Sequence, residues 1–278
     1  MKFSIITPSF RQSQWLKLCV ASVADQKEVE LEHIVQDACS GDGTLDWLPH
    51  DQRVRAFIEK DDGMYDAINR GFKRAQGDIL AYLNCDEQYL PGGLKAVHEF
   101  FEKHPSIDVA LAGTIVIDGN GNYICHRPAL APNPYYFWLH FPVLSSSVFI
   151  RRRVIHERRI FFDTRWRDLG DLHWVAALLD HKVPMAAFDR FTSTFTDTGE
   201  NMNLKPNALR EKVDTFAMAP SWVRVLPYVA NMHHFIRRLT AGHYSSQPTS
   251  YSVYTLQSPH QRVRFEASKP TGIWWSRR

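Results

Sequence analysis

The sequence predicts an α/β protein whose central sheet is mostly parallel. Short apolar runs alternate along the first half of the chain with stretches in which the apolar residues have helical spacing. Each of the first apolar runs is followed by an acidic loop that contains glycine. The chain has 278 residues, of which 44% are apolar, so it is long enough to bury one large core. Strands that alternate with helices favour a parallel sheet. A crossover helix returns the chain to the end of the sheet where the previous strand began, so the next strand runs in the same direction.

The first elements form a β-α unit that is followed by two more strands. Phe3 to Thr7 is a short apolar run that ends at Pro8-Ser9, and the apolar residues between Trp15 and Val23 have the spacing of a helix. Apolar runs predict a second strand over Leu31–Gln36 and a third over Val54–Ile58.

The next elements continue the alternation. A helix is expected from Tyr65 to Gln76 with Gly77 as its C-terminal cap, followed by a buried strand over Ile79–Leu83. Leu94, Val97 and Phe101 indicate another helix. A strand over 109–117 and a turn over 118–122 follow it.

Four acidic residues follow the strands and are expected to share one rim of the sheet: Asp37, Asp61, Asp62 and Asp86. Open α/β sheets bind ligands beyond the carboxyl ends of their strands. A group of carboxylates is electrostatically unfavourable without a cation or a hydrogen-bonding ligand, so a divalent metal is the natural partner. At any single position, an Asp that only forms a turn or caps a helix is an equal alternative.

Composition excludes several classes of protein. The four cysteines, at positions 19, 39, 85 and 125, form no CxxC pair, which argues against a zinc-finger framework and favours a reducing compartment. The N-terminus lacks the pattern of a secretory signal, so we expect a cytoplasmic protein. The longest stretch without a charged residue, Pro128–Ile150, is interrupted by Pro132, Pro134 and Pro142, so no transmembrane helix is predicted.

Charge is distributed unevenly along the chain. Residues 205–278 have a net charge of +8, which leaves −5 on the first 204 residues. The segment contains two amphipathic stretches, one with Leu209, Val213 and Phe216 and one from Trp222 to Ile236. An anionic membrane surface is a possible partner, whereas the lack of a recognisable motif argues against nucleic acid. Helices that pack on the body as core, or a solvated basic surface, are the alternatives.

Four motifs in the first ninety residues resemble those of glycosyltransferase family 2: Ile5-Ile-Thr-Pro-Ser-Phe10; Asp37-x-x-Ser40-x-Asp42-Gly-Thr44; Asp61-x-Gly63-x-Tyr65-Asp-Ala-x-Asn69-x-Gly71; and Gly77-Asp-x-x-x-Tyr82-Leu-Asn-x-Asp86. Their order and spacing together are more specific than any one of them. The resemblance is dense over residues 3–90 and thinner to about residue 203. It implies a GT-A fold, with a Rossmann-like nucleotide-binding sheet, and a nucleotide-sugar donor.

The resemblance also implies roles for individual residues. Asp86 corresponds to the last acid of the family's DxD motif, a ligand of Mn²⁺ or Mg²⁺ that neutralises the diphosphate. Thr7 and Ser9 fall on the first β-α loop, which lines the nucleotide, and Asp37 corresponds to the acid that binds the base. The remaining residues assigned to the donor are Asp61, Asp66, Asn69, Arg70, Asn84 and Cys85. Asn69 and Arg70 could equally form an ordinary exposed helix face.

The acceptor side of the family pattern matches Arg167-Asp168-Leu-Gly-Asp171-Leu-His-Trp174. An inverting transfer requires a carboxylate that takes the proton of the acceptor hydroxyl. Alignment of the helix that follows assigns this role to Asp171 rather than Asp168, and a simple helix cap is the alternative. Thr198–Met202 resembles a glycine-containing loop that closes over the site.

These assignments predict a GT-A domain over residues 1–204 and a basic, partly helical extension over 205–278. The domain is divided into a nucleotide-sugar half, 1–90, and an acceptor half, 91–204. The expected function is metal-dependent, inverting transfer of a sugar to a glycan or lipid-linked acceptor in envelope polysaccharide biosynthesis. The protein is expected in the cytoplasm, with peripheral association at the inner face of the membrane. The alternatives are a sugar-phosphate nucleotidyltransferase and an inactive nucleotide-sugar-binding or membrane scaffold protein.

Overall fold

The computed structural model describes residues 1–199, 206–244 and 249–274. The chain begins with strands and helices that mostly alternate. Its first four strands run in one direction, so all four end on the same side of the sheet. The elements are β1 (Lys2–Ser9), α1 (Ser13–Ala24), β2 (Glu30–Asp37), β3 (Arg55–Ile58), α2 (Met64–Arg74) and β4 (Ile79–Tyr82).

The second part of the body is more mixed and includes three strands that run against the others. Its elements are β5 (Gln88–Tyr89), α3 (Gly93–Lys103), β6 (Val109–Asp118), β7 (Tyr123–Arg127), β8 (Val148–Arg151), α4 (Arg152–His156), α5 (Gly170–Asp180) and β9 (Met185–Asp197).

All nine strands named so far form one sheet. Eight of them follow the order β3-β2-β1-β4-β8-β6-β9-β5, and β7 pairs with β6 outside this order. The first four positions are parallel, and β6 is parallel to β9. Strand β8 is antiparallel to both β4 and β6, so β4 and β6 run in the same direction. Six of the nine strands therefore share one direction, and the predicted α/β fold with a mostly parallel sheet is confirmed.

The core lies on both faces of this sheet because side chains alternate along each strand. Ile6 packs on one face against Phe72 of α2 and Trp174 of α5. Its neighbour Ile5 packs on the opposite face in the cluster that includes residues of α1 and α3. The resulting three layers leave the carboxyl ends of the parallel strands uncovered by helices, which is where ligands of such sheets bind.

Two local predictions were wrong. β1 continues to Ser9, so Thr7 and Ser9 lie in the strand and not in the loop after it. Gly77 does not cap α2, which ends at Arg74 with Ala75 at its cap. A Cβ atom on Gly77 would lie 2.7 Å from the backbone of Phe3, so glycine is required there for close approach to β1.

Within its described residues, the C-terminal segment contains three helices, because the second of the two predicted helices is divided in two, and a hairpin that the sequence did not indicate. The helices are α6 (Pro206–Ala217), α7 (Ser221–Val225) and α8 (Pro227–Thr240), and the hairpin is formed by β10 (Thr249–Thr255) and β11 (Ser258–Ala267). Arg262 of the hairpin forms an ion pair with Asp25 after α1 at 2.6 Å. No helix in the described ranges is long and apolar enough to cross a membrane.

Candidate active site

Asp37, the last residue of β2, is fully buried and held by two serines. Ser9 at the end of β1 donates its hydroxyl to Asp37 Oδ2 at 2.8 Å. Ser40 donates its backbone N–H to Oδ1 and its hydroxyl to Oδ2, each at 2.8 Å. Parallel pairing of β1 with β2 places Ser9 opposite Asp37, so the two predicted donor residues meet at one strand end.

Thr7 lies deeper than the sequence predicted. Its hydroxyl is fully buried and lies 2.9 Å from Nε2 of His33, below the strand ends. The pKa of His33 is lowered by burial to about 3, so this ring is neutral. The side chain of Thr7 therefore contacts His33 inside the protein, and its assignment to the donor stays a prediction.

A second acidic group lies between β3 and α2. Asp61 accepts the backbone N–H of Gly63 at 3.0 Å, and Gly63 has a φ of +112°, a conformation that favours glycine. Asp66 forms an ion pair with Arg70 one turn later at 2.7 Å. Burial raises the pKa of Asp61, and the charges of Asp66 and Asp37 raise it further. The carboxylates of Asp37, Asp61 and Asp66 are thus close enough to influence one another, as expected of residues on one rim of the sheet.

Arg70 is the cation of this acidic group. Its guanidinium also contacts Glu59 at 3.2 Å and donates to the carbonyl of Lys60 at 2.9 Å. Hydrogen bonding to Asp66 is the main cause of the raised pKa of Arg70. Arg70 is therefore held by neighbouring acidic side chains, and its assignment to the donor stays a prediction.

Asn69 has a structural contact that the sequence did not reveal. Its amide nitrogen donates to the carbonyl of Phe162 at 2.9 Å, and its amide oxygen accepts the N–H of Phe162 at 2.9 Å. The side chain is buried, and both polar groups join α2 to the segment before α5. Asn69 therefore has a structural contact, and its assignment to the donor stays a prediction.

The loop after β4 contains Asn84, Cys85, Asp86 and Glu87. Glu87 accepts the backbone N–H of Asn84 and the hydroxyl of Ser145, each at 2.9 Å. Burial, together with the charge of Asp86, raises the pKa of Glu87 to about 8. Burial raises the pKa of Asp86 to about 6 and the pKa of Cys85 well above its usual value. Burial therefore disfavours simultaneous ionisation of Asp86 and Glu87 in this loop.

The same loop fits a divalent cation that also binds a ligand's oxygens. Asn84 Oδ1 is buried and has no hydrogen-bond partner among the residues described, and it lies in the same short loop as the half-buried Asp86. Carboxylate and amide oxygens are ligands that Mg²⁺ and Mn²⁺ accept. Across the described ranges, however, no three His, Cys, Asp or Glu side chains are grouped as a metal site. A cation here would need most of its ligands from water and phosphate, as Mg²⁺ sites commonly do.

Asp171 lies in the first turn of α5, on the acceptor side predicted from the sequence. Its Oδ1 accepts the N–H of Leu172 at 2.8 Å and lies 3.5 Å from the hydroxyl of Tyr65. Burial raises the pKa of Asp171 to about 6. Gly170 allows this contact, because a Cβ atom there would lie 2.5 Å from the Tyr65 ring. Burial, followed by the charge of Asp171, raises the pKa of Tyr82, the last residue of β4, and the charge of Glu87 acts in the same direction.

Glu211 of α6 holds the loop in front of Asp171. Its carboxylate accepts the backbone N–H groups of Arg167, Asp168 and Leu169 at 2.9 to 3.0 Å. Burial alone would raise the pKa of Glu211, but these hydrogen bonds lower it. Asp168 is separately engaged, since its Oδ2 accepts the amide of Asn207 at 2.6 Å.

A cleft of about 540 Å³ lies between the start of α2, the loop before α5 and the start of α6. Tyr65 and Trp166 supply aromatic surface, and Asp66, Asp168 and Asn207 supply polar groups. Trp166 stacks on His173 with ring centres 3.6 Å apart, which fixes the indole. Residues 200–202 of the predicted closing loop lie outside the described residues.

The sequence assigned roles to Asp37, Asp61, Asp66, Arg70, Asp86 and Asp171, and these stay predictions, but it gave no role to other residues of the candidate site. Tyr65 was part of a quoted motif without an assigned role, and Trp166 adjoins the Arg167-Asp168 motif. Their aromatic character beside acidic positions was the available signal. No sequence signal pointed to Glu211, because its partners are backbone groups more than forty residues earlier in the chain.

Comparison with known proteins gives one family. A family model described as Glycosyl transferase family 2 matches residues 4–162. The putative teichuronic acid biosynthesis glycosyltransferase TuaG of Bacillus subtilis (strain 168) is 35% identical over 102 residues, which cover 35% of this chain and 40% of that protein. A PGL/p-HBAD biosynthesis glycosyltransferase of Mycobacterium bovis (strain BCG / Pasteur 1173P2) is 32% identical over 124 residues, which cover 42% and 48%. The match spans less than half the length of either relative.

Solved structures show the same fold. The S. aureus TarS 1-349 structure in complex with UDP-GlcNAc aligns with a TM-score of 0.61 and 19% identity over 87% of this chain and 75% of that one. Mannosyltransferase PcManGT from Pyrobaculum calidifontis, in complex with GDP-Man and Mn²⁺, aligns with a TM-score of 0.60 and 13% identity over 86% and 71%. At these identities the likeness concerns the fold alone, and it confirms the expected GT-A architecture.

Proposed function

Because the chain belongs to glycosyl transferase family 2, we propose that it transfers a sugar from a nucleotide-sugar donor to an acceptor hydroxyl with inversion. The observation that supports this most directly is the placement of Asp171. Its carboxylate lies in the first turn of α5 beside Tyr65, one of the residues that line the 540 Å³ cleft. UDP-GlcNAc in the TarS structure and GDP-Man in the PcManGT structure support a donor of this class.

In this proposal the donor binds at the carboxyl ends of β1 to β4. Asp37, oriented by Ser9, accepts a hydrogen bond from the base. Asp61, Asp66 and Arg70 lie beside the nucleotide, and Asn84 and Cys85 approach the diphosphate from the loop after β4. Asp86 and the amide oxygen of Asn84 would hold Mn²⁺ or Mg²⁺, which supplies positive charge for the leaving diphosphate. The Mn²⁺ in the PcManGT complex supports a cation of this kind.

Asp171 then acts as the general base. Its pKa of about 6 leaves it ionised at neutral pH while keeping it a better proton acceptor than an exposed Asp. The acceptor hydroxyl loses its proton to Asp171, and its oxygen bonds to the anomeric carbon as the bond to the diphosphate oxygen breaks. The names of the two relatives, which refer to teichuronic acid and PGL/p-HBAD biosynthesis, support an envelope glycan or lipid-linked acceptor. The proposal places the enzyme in the cytoplasm at the inner face of the membrane.

Donor hydrolysis and thermal shift with UDP-, GDP- and dTDP-sugars test this function. A bound donor stabilises the protein by mass action, and we expect the shift to require Mn²⁺ or Mg²⁺. Asp86→Ala should lose the metal-dependent shift, whereas Glu99→Ala, which removes an exposed acid from α3, should retain it. An inactive scaffold would release no nucleotide, and full activity of Asp86→Ala with Mn²⁺ would contradict the metal assignment.

A further inference from the structure

Helix α8 packs on the body with its polar face. The face toward the body contains asparagine, histidine and arginine, and Ala230 is the buried apolar residue of the helix. Its contacts are Asn231 with His140 at 2.6 Å, His233 with the Tyr136 hydroxyl at 2.8 Å, His234 stacked on His140, and Arg237 with the Ala131 carbonyl at 2.6 Å. An ordinary surface helix has the opposite arrangement.

The apolar face of α8 points to solvent. Its residues recur at helical spacing and are 40% to 64% exposed: Tyr228, Val229, Met232, Phe235, Ile236 and Leu239. Helix α8 therefore packs on the body, but these six residues lie outside its core. A stripe of this size on the described surface is larger than a scatter of single apolar residues, which would need no explanation.

Helix α6 repeats this arrangement. Ala208, Glu211 and Thr215 are buried toward the body, whereas Leu209, Val213 and Phe216 are 37% to 69% exposed. Trp222 of α7 is also exposed. We call the outward apolar residues of α6, α7 and α8, taken together, the apolar face.

The charges around the apolar face favour an anionic partner. Arg210, Lys212 and Arg224 are exposed on α6 and α7, with Asp214 as the exposed acid of these two helices. Trp222 and Tyr228 have the amphipathic rings that occupy the headgroup level of a bilayer. A second copy fits less well, because a symmetric interface pairs a surface with itself and would bring these cations together.

We propose that the apolar face docks on an anionic lipid bilayer. Pro206 and Asn207 at the start of α6 line the 540 Å³ cleft, so docking would bring the entrance of the cleft to the membrane surface. Delivery of a lipid-linked acceptor by this route rests on the proposed function. Binding of the chain to lipid does not, and it can be measured separately.

Flotation of the full-length protein with vesicles tests the proposal. One set of vesicles contains phosphatidylcholine alone and the other also contains phosphatidylglycerol. We expect binding to the anionic vesicles, weakened by salt. The double variant Met232→Asp/Phe235→Asp should bind about tenfold or more weakly, because each change removes an apolar side chain and adds a negative charge.

The matched control, Gln52→Asp/Gln257→Asp, adds the same charge at exposed positions away from the apolar face and should bind like the wild type. Thermal unfolding shows whether each variant is folded, and a second double variant, Leu209→Ser/Val213→Ser, repeats the test without added charge. Failure of the wild type to bind, or equal binding by all variants, would overturn the proposal. So would sedimentation showing a dimer that the Asp variant abolishes without any vesicle binding. Vesicle binding without donor hydrolysis would instead contradict the proposed function.

Discussion

Glu211 accepts a hydrogen bond from the backbone N–H of Asp168 at 3.0 Å and thereby joins α6 to the loop that leads to Asp171. The same carboxylate accepts the neighbouring N–H groups of Arg167 and Leu169. These N–H groups belong to the loop before α5 and to its N-cap residue, Leu169, so the carboxylate supplies them with a hydrogen-bond partner. The C-terminal segment therefore contributes to the geometry of the body's candidate base.

We predict that Glu211→Gln lowers kcat by about tenfold while the KM for donor changes little, because the loss of one acceptor oxygen loosens the loop before Asp171. The negative charge of Glu211 also raises the pKa of Asp171. The acid limb of the pH profile should therefore move to lower pH, an effect that destabilisation alone would not produce. Asp214→Asn, which changes an exposed acid on the same helix, is the control. An unchanged profile in Glu211→Gln would argue against this positioning role.

Asp171→Asn should leave donor binding near normal and lower turnover on the order of 10²- to 10⁴-fold, because the amide preserves shape and cannot accept the proton. Single-turnover rates and donor titrations separate the two effects. Asp168→Asn is the comparison, since Asp168 already accepts a hydrogen bond from Asn207. A loss of turnover confined to Asp168→Asn would move the base to Asp168.

The pH dependence of kcat/KM should report Asp171. Burial raises its pKa to about 6, and a base must be unprotonated, so activity should rise as pH increases through about 6 and then level off. Folding has the opposite dependence. A carboxyl whose pKa is raised by folding contributes less stability once it ionises, so this contribution falls as pH rises from about 4 toward 6. A profile measured at saturating Mn²⁺ that stays flat down to pH 5 would contradict the assignment.

Two asparagines should respond differently to removal of the side-chain amide. Asn69→Ala loses both hydrogen bonds to Phe162 in a buried position and should lower the free energy of unfolding by about 1–3 kcal/mol, measured by urea denaturation. Asn84→Ala removes an oxygen that has no protein partner in the described ranges and should cost less stability than Asn69→Ala while weakening metal-dependent donor binding. Equal stability of the two variants would contradict these roles.

The sequence by itself determined the α/β class, the order of the first elements and the rim of acidic residues. Apolar periodicity and loop composition are local properties, and parallel strands necessarily bring their carboxyl ends to one edge. That is why Asp37, Asp61 and Asp86 could be placed at one end of the sheet before the fold was known. The motifs of family 2 added the identity of Asp171, which periodicity alone could not supply. The division of the chain at residue 204 stays a prediction.

Only the tertiary structure decided which polar groups are available. The partners of Thr7, Asn69 and Glu211 lie 26, 93 and more than 40 residues away in sequence, so composition gave no sign of them. The orientation of α8 is a further case. Its amphipathic pattern is local, but whether the apolar face points inward depends on which residues of the body contact the helix. Here the body offers Tyr136 and His140, whose hydrogen bonds favour the polar face of the helix and leave the apolar face to solvent.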